Sequence, residues 1–134
     1  MEAFAIFQKS TLKNSGQRVE QDIRFTLTGE MVKPDNIPAT VAGDCLGYQI
    51  KSARATICKG TDIAEHLKHD AATAYIYGTL EGKGYIMSRS EYLEFATTFA
   101  TVTRDSEKNG GAVKTRLKSE SRALLRWLEE RAEG

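Results

Sequence analysis

The sequence predicts a single α/β domain, with one central mixed β-sheet flanked by helices. Three observations carry this. The 134 residues suffice for one core that folds without staples. Runs with apolar residues at i, i+4 spacing alternate along the chain with short runs of β-formers. The resulting order is helix, β-hairpin and strand, short helix, two strands, helix, strand, helix, an interleaving that packs helices onto a sheet. No repeat, low-complexity tract or internal linker divides residues 1–134.

Phe4 and Ile6 open a short apolar segment whose pattern suits a strand or a helix. Asn14-Ser15-Gly16 then offers a helix start with Ser15 as N-cap. Val19, Ile23 and Leu27 form its stripe, and Gly29 can end it. Pro34 and Pro38 bracket a loop, and 39–42 is a short extended approach to Asp44. Residues 48–58 read as a strand pair or one bent strand. Thr61 can cap a short helix over 62–70, with Ile63 and Leu67 inward. Residues 74–78 and 85–87 are partner strands around a glycine-containing turn. Ser88 and Glu91 form a capping box before a helix over about 89–100, which carries Tyr92, Phe95, Ala96 and Phe99 on one face. A polar loop spans 105–111, a short strand follows at 113–117, and Ser119 can cap a last helix with Leu124, Leu125, Trp127 and Leu128 as its stripe.

Composition narrows the function classes. Charged residues make up 28% and hydrophobic ones 40%, ordinary for a soluble protein. The formal net charge of +1 gives no global field for a polyanion. Charge is patterned, however. Residues 1–60 carry 8 Lys/Arg against 6 Asp/Glu, 61–100 carry 3 against 6, and 101–134 carry 8 against 6. A bound polyanion is therefore expected at the N-terminal half and the C-terminal tail. The first residues do not read as a secretory signal, and no apolar run approaches a membrane span. Two cysteines, Cys45 and Cys58, make no disulfide framework, so the expected compartment is the cytoplasm.

The chemistry concentrates between Asp44 and Lys51. With Leu46-Gly47 as a two-residue turn and Gly47 at positive φ, Cys45 opposes Tyr48 and Asp44 opposes Gln49. Opposed residues share a face, and Lys51, two positions on, joins them. A carboxylate, an amide oxygen and an ammonium converging in this way can hold a divalent metal and polarise a water. A second acid is needed, and Glu20 is placed for it. It lies one position past Val19, at the half-buried edge of the first helix's stripe.

Gly16-x-x-x-Glu20, Gly43-Asp44 and Gln49-Ile-Lys51 together resemble the PD-(D/E)XK nuclease superfamily, with Gln in place of the usual acid. That group includes restriction endonucleases, Holliday junction resolvases and mismatch-repair nicking enzymes. Its core order of helix, three strands, helix, strand is similar to this chain over about its first three-quarters. The resemblance implies a restriction endonuclease-like fold and Mg²⁺- or Mn²⁺-dependent hydrolysis of DNA phosphodiester bonds. It implies Asp44 as principal metal ligand, Gln49 and the Ile50 carbonyl as further oxygens, and Glu20 acting through a metal-bound water. Lys51 would orient or help deprotonate the attacking water. Two departures stand out. Gln49 removes one negative charge, and the interval from Asp44 to Gln49 is short for the family. A chain this compact suits a phage, mobile element or defence system, acting on a DNA structure or through a targeting protein partner. The alternative is a catalytically inactive nucleic-acid-binding or protein-interaction module on the same fold.

Other residues bear on binding. Ser52 and Arg54 follow Lys51, and Arg54, on a neighbouring strand, can hold a phosphate. Lys108 and Asn109 precede paired glycines, and Lys114 and Arg116 share one strand face. That combination can grip a nucleic-acid backbone. His66 and His69 lack a matching cysteine pair for zinc and read as helix-surface residues. Cys45 points away from the proposed site and reads as a structural thiol. Tyr75, Tyr77, Tyr85 and Tyr92 fit core packing more simply than a base-stacking platform. The last helix is expected to close the core, or, if it projects, to form a homodimer face.

Overall fold

The computed structural model describes residues 1–31, 47–72 and 74–133, apart from the Asn109 side chain. Its strands are β1 (Glu2–Ala5), β2 (Tyr48–Ser52), β3 (Thr56–Lys59), β4 (Ala74–Gly78), β5 (Lys83–Met87), β6 (Ala100–Arg104) and β7 (Val113–Leu117). The helices are α1 (Ser15–Thr28), α2 (Ile63–Lys68), α3 (Arg89–Phe99) and α4 (Arg122–Glu133). They build a small α/β domain in which a mixed sheet is flanked by helices. The four-stranded sheet has the order β1-β5-β4-β2, with β2 and β4 parallel and the other pairs antiparallel. The expectation of one sheet is corrected among the described residues. A second, antiparallel sheet has the order β3-β7-β6. Residues 48–58 therefore form a bent segment that leaves one sheet at Ser52 and enters the other at Thr56.

The central strand β4 of the four-stranded sheet is buried on both faces, and its alternation shows why. Ile76 and Ile50 join Val19 and Ile23 of α1 on one face. Tyr75, Tyr77, Tyr85 and Met87 join Tyr92 and Phe95 of α3 and Leu124 and Leu128 of α4 on the other. The tyrosines are thus core residues, as their spacing predicts. Tyr75 stacks on Tyr92 with ring centroids 4.3 Å apart. Burial, then the Asp70 carboxylate that its hydroxyl reaches at 3.1 Å, push the Tyr75 phenol up to about 12. α4 spends its stripe on this core, with Trp127 partly buried against Phe95 and Phe99.

Most ends follow the sequence, with small shifts in the caps. Gly29 adopts φ 78 and ends α1 by donating to Phe25 O at 2.8 Å. The Ser88–Glu91 capping box is present. The N-cap of α1 is Asn14 rather than Ser15, because the Asn14 side chain reaches the Gln17 N–H at 3.0 Å. For the same reason Asp62 rather than Thr61 caps α2, and Ser121 rather than Ser119 meets the Leu124 N–H. The expected loop at 105–111 contains a short 3-10 turn, Glu107–Asn109.

One close approach seats α1. A Cβ at Gly78 would lie 2.5 Å from Val19 Cγ1 and 2.6 Å from Ile23 Cδ1. The helix therefore rests directly on β4 backbone. Gly78 is in register with Ser52, the last residue of β2, so this contact also fixes α1 beside the β2 terminus.

Candidate nucleic-acid and metal cleft

A cleft of about 520 Å³ opens where the N-terminal half of α1 meets the end of β2. Glu20, Gln49, Ile50, Lys51, Ser52, Arg54 and Arg116 all line it. Residues separated by nearly a hundred positions in sequence are thus gathered at one place. Glu20 arrives on α1, one position past buried Val19, and its side chain is 28% exposed. Its Oε1 accepts from Arg24 Nη2 at 3.1 Å. Gln49 and Lys51 alternate with buried Ile50, so they face away from α1 and toward β3. Lys51 Nζ donates to the Thr56 carbonyl at 3.1 Å, which holds the ammonium between β2 and β3. The cleft therefore wraps the β2 edge, with the acid on one side and the amide and ammonium on the other.

Asp44 and Cys45 lie outside the described residues, as do their cross-strand pairings with Gln49 and Tyr48. Of the proposed two-residue turn, Gly47 is described and takes φ 84, the positive φ that the turn calls for.

The binding residues divide. Ser52 is buried, with its hydroxyl close to Gly16 of α1. Arg54 is not on a strand, which corrects the expectation. It is the third residue of a turn in which Ala55 N–H donates to Ser52 O at 3.0 Å. Its φ of 65 makes it the one non-glycine described residue in the left-handed region. Turns of this kind call for glycine at that place, and a side chain there costs about 1 kcal/mol. Arg116 lies on the middle strand of the second sheet, is exposed, and joins Arg54 in the cleft wall. Lys114 shares its face but pairs with Asp105 at 2.9 Å. Lys108 is exposed in the 3-10 turn and does not line the cleft. Asn109 lies in the same turn, and its side chain is outside the described set.

Arg24, which does not line the cleft but pairs with Glu20, is a residue that motif reading passes over. It is 8% exposed, and its Nε has no hydrogen-bond partner among the described residues. The available signal was its i, i+4 spacing from Glu20. His66 on α2 and His69 at its C-cap are exposed, and His69 Nε2 lies 3.1 Å from Glu65 Oε1. Among the described residues no group of three or more His, Cys, Asp or Glu is arranged to hold a metal. The donors in the cleft are the Glu20 carboxylate, the Gln49 amide and main-chain carbonyls. Such an all-oxygen set fits a hard ion such as Mg²⁺ or Mn²⁺ and not zinc. The chain matches no family model, no curated protein and no solved structure. No helix among the described residues is long and apolar enough to cross a membrane.

Proposed function

We propose that this chain is a Mg²⁺- or Mn²⁺-dependent nuclease of the PD-(D/E)XK type that hydrolyses DNA phosphodiester bonds. The observation that carries the reading is the shared cleft. An acid from α1, the Gln-x-Lys pair of β2 and two arginines meet there, although their positions span residues 20 to 116.

In this reading Asp44, the Gln49 amide oxygen and the Ile50 carbonyl would hold the metal, and Glu20 would reach it through a water around the β2 edge. The ion supplies Lewis-acid stabilisation of charge on the phosphoryl group. Lys51 orients the attacking water and offsets the charge that grows on phosphorus. Its bond to Thr56 O keeps the ammonium in place before the substrate arrives. Arg54 and Arg116 bind the flanking phosphates, a role suited to the guanidinium fork. Arg24 holds the Glu20 carboxylate oriented.

A second reading is favoured by the same pair. Glu20 is already neutralised by Arg24, and Gln49 adds no charge, so a non-catalytic DNA-binding module is the competitor. Incubation of plasmid, branched and single-stranded DNA with the protein in Mg²⁺ or Mn²⁺ separates them. The nuclease reading expects metal-dependent cleavage that Lys51→Ala abolishes. It fails if no substrate is cut, or if the variant cuts as fast as the wild type.

A further inference from the structure

Beyond Arg54 and Arg116 the surface continues into a second groove of about 490 Å³ on the outer face of the three-stranded sheet. Its lining is Arg54, Thr101, Thr103, Arg116, Lys118 and Ser119, with Leu117 beneath. Cross-strand register explains the arrangement. Thr101 opposes Arg116 and Thr103 opposes Lys114, so each pair projects to one face. On the other side Thr56 opposes Arg116 and Lys59 opposes Lys114. A β-bulge between Thr56 and Cys58 makes this possible. It lets Ile57 and Cys58 both turn inward, at 3% and 2% exposure, while Thr56 and Lys59 stay on the outer face.

Both hollows have a cationic excess, but only the cleft includes an acid, Glu20. The groove lining has three cations and three hydroxyl groups and no carboxylate. None of Arg54, Arg116 and Lys118 enters an ion pair among the described residues. Arg54 and Arg116 line both hollows, so a ligand that fills both must be long and must repeat its negative charge. Arginine, lysine and hydroxyl donors without an aromatic surface suit phosphate oxygens rather than base edges.

We infer that this groove is a phosphodiester-backbone subsite, which carries the same nucleic-acid strand away from the cleft independently of its sequence. The inference deepens the nuclease reading and rests on it for the strand's path. Its test is binding, which needs no cleavage. Fluorescence anisotropy with a labelled 20-base-pair DNA in EDTA reads affinity and its salt dependence. The variants are Lys118→Glu and Thr103→Glu, which touch the groove and not the cleft, with Lys68→Glu on α2 as control. All three side chains are exposed, and circular dichroism melting checks the fold. Each groove variant is expected to weaken binding about tenfold, and Lys118→Glu to lower the salt slope by about one. Lys68→Glu is expected to match the wild type. Groove variants that bind like the control, or a wild type that does not bind, overturn the inference. A wild type that binds through the groove but never cleaves with metal overturns the nuclease reading alone.

Discussion

The cleft beside α1 and the groove on the three-stranded sheet adjoin across two shared arginines, yet they are built on opposite principles. The cleft mixes charges and holds them by internal bonds, Glu20 to Arg24 and Lys51 to Thr56 O. The groove holds cations with no acid partner among the described residues. Bonds that orient a side chain before substrate arrives suit chemistry, where small displacements are costly. Unpaired cations suit grip, where counterion release gives affinity without exact placement. On the proposed function, the contrast predicts that conversion and binding can be damaged separately, and four substitutions test that separation.

The largest effect is expected from Lys51→Ala. It removes a fixed cation from the cleft and should lower cleavage by about 100-fold or more, with DNA affinity in EDTA changed far less. Single-turnover rates and anisotropy on one preparation check both halves. Equal losses in rate and affinity would merge the two regions into one.

Gly78→Ala comes next and breaks the cleft from behind. The added methyl meets Val19 and Ile23, so α1 must shift on the sheet. A stability loss of about 1–3 kcal/mol is expected from urea unfolding. Cleavage should fall further than groove binding, because α1 carries Glu20 and contributes nothing to the groove lining.

Arg54→Gly cuts the shared boundary and has opposite consequences for stability and binding. Glycine adopts positive φ without the steric cost that Arg54 bears, so the fold should gain up to about 1 kcal/mol. DNA affinity should fall about tenfold with the lost cation. Thermal melting and anisotropy read the two effects. An Arg54→Gly protein that is no more stable would remove the strain from the account, and one that binds normally would remove the arginine's role.

The smallest effect concerns Glu120, one residue beyond the groove. Burial, and then the neighbouring Glu81 charge, raise its carboxyl pKa, although its Oε1 accepts the Leu80 N–H at 2.7 Å. A raised carboxyl pKa means the folded state binds more protons. The stability this group contributes is full below its unfolded pKa and is lost as pH rises through the folded one. Glu120→Gln keeps an acceptor for Leu80 and removes the titration. Its stability relative to wild type should therefore improve slightly between pH 4 and pH 7, measured by urea midpoints. Groove binding should be unchanged or slightly tighter.

Much of this frame was legible in the chain, for identifiable reasons. The α1 stripe with its Gly29 stop, the Ser88–Glu91 box and the strands over 74–78, 85–87 and 113–117 rest on local patterns that the tertiary structure did not override. Glu20, Gln49 and Lys51 were chosen by motif, and the half-buried placement predicted for Glu20 holds. What escaped depends on distant partners. β6 was not predicted because its outer positions are not apolar and Val102 is 58% exposed. Without β6 the second sheet could not be drawn, and Thr101, Thr103 and Lys118 had no reason to be grouped with Arg54. The sequence puts Arg54 on a strand, because nothing in its neighbours announces a left-handed turn residue. The caps at Asn14, Asp62 and Ser121 moved by one or two positions because polar candidates are adjacent and only geometry selects among them.

The central claim is that the cleft is a metal-dependent hydrolytic site served by Glu20, Gln49 and Lys51. Anomalous scattering from crystals of the protein grown with Mn²⁺ tests it most directly. The expected result is a peak in the cleft at a coordination distance of about 2.2 Å from the Gln49 amide oxygen, with the Glu20 carboxylate one water removed and Lys51 Nζ nearby. Crystals with Mn²⁺ bound elsewhere, and none in the cleft at saturating metal, would contradict it.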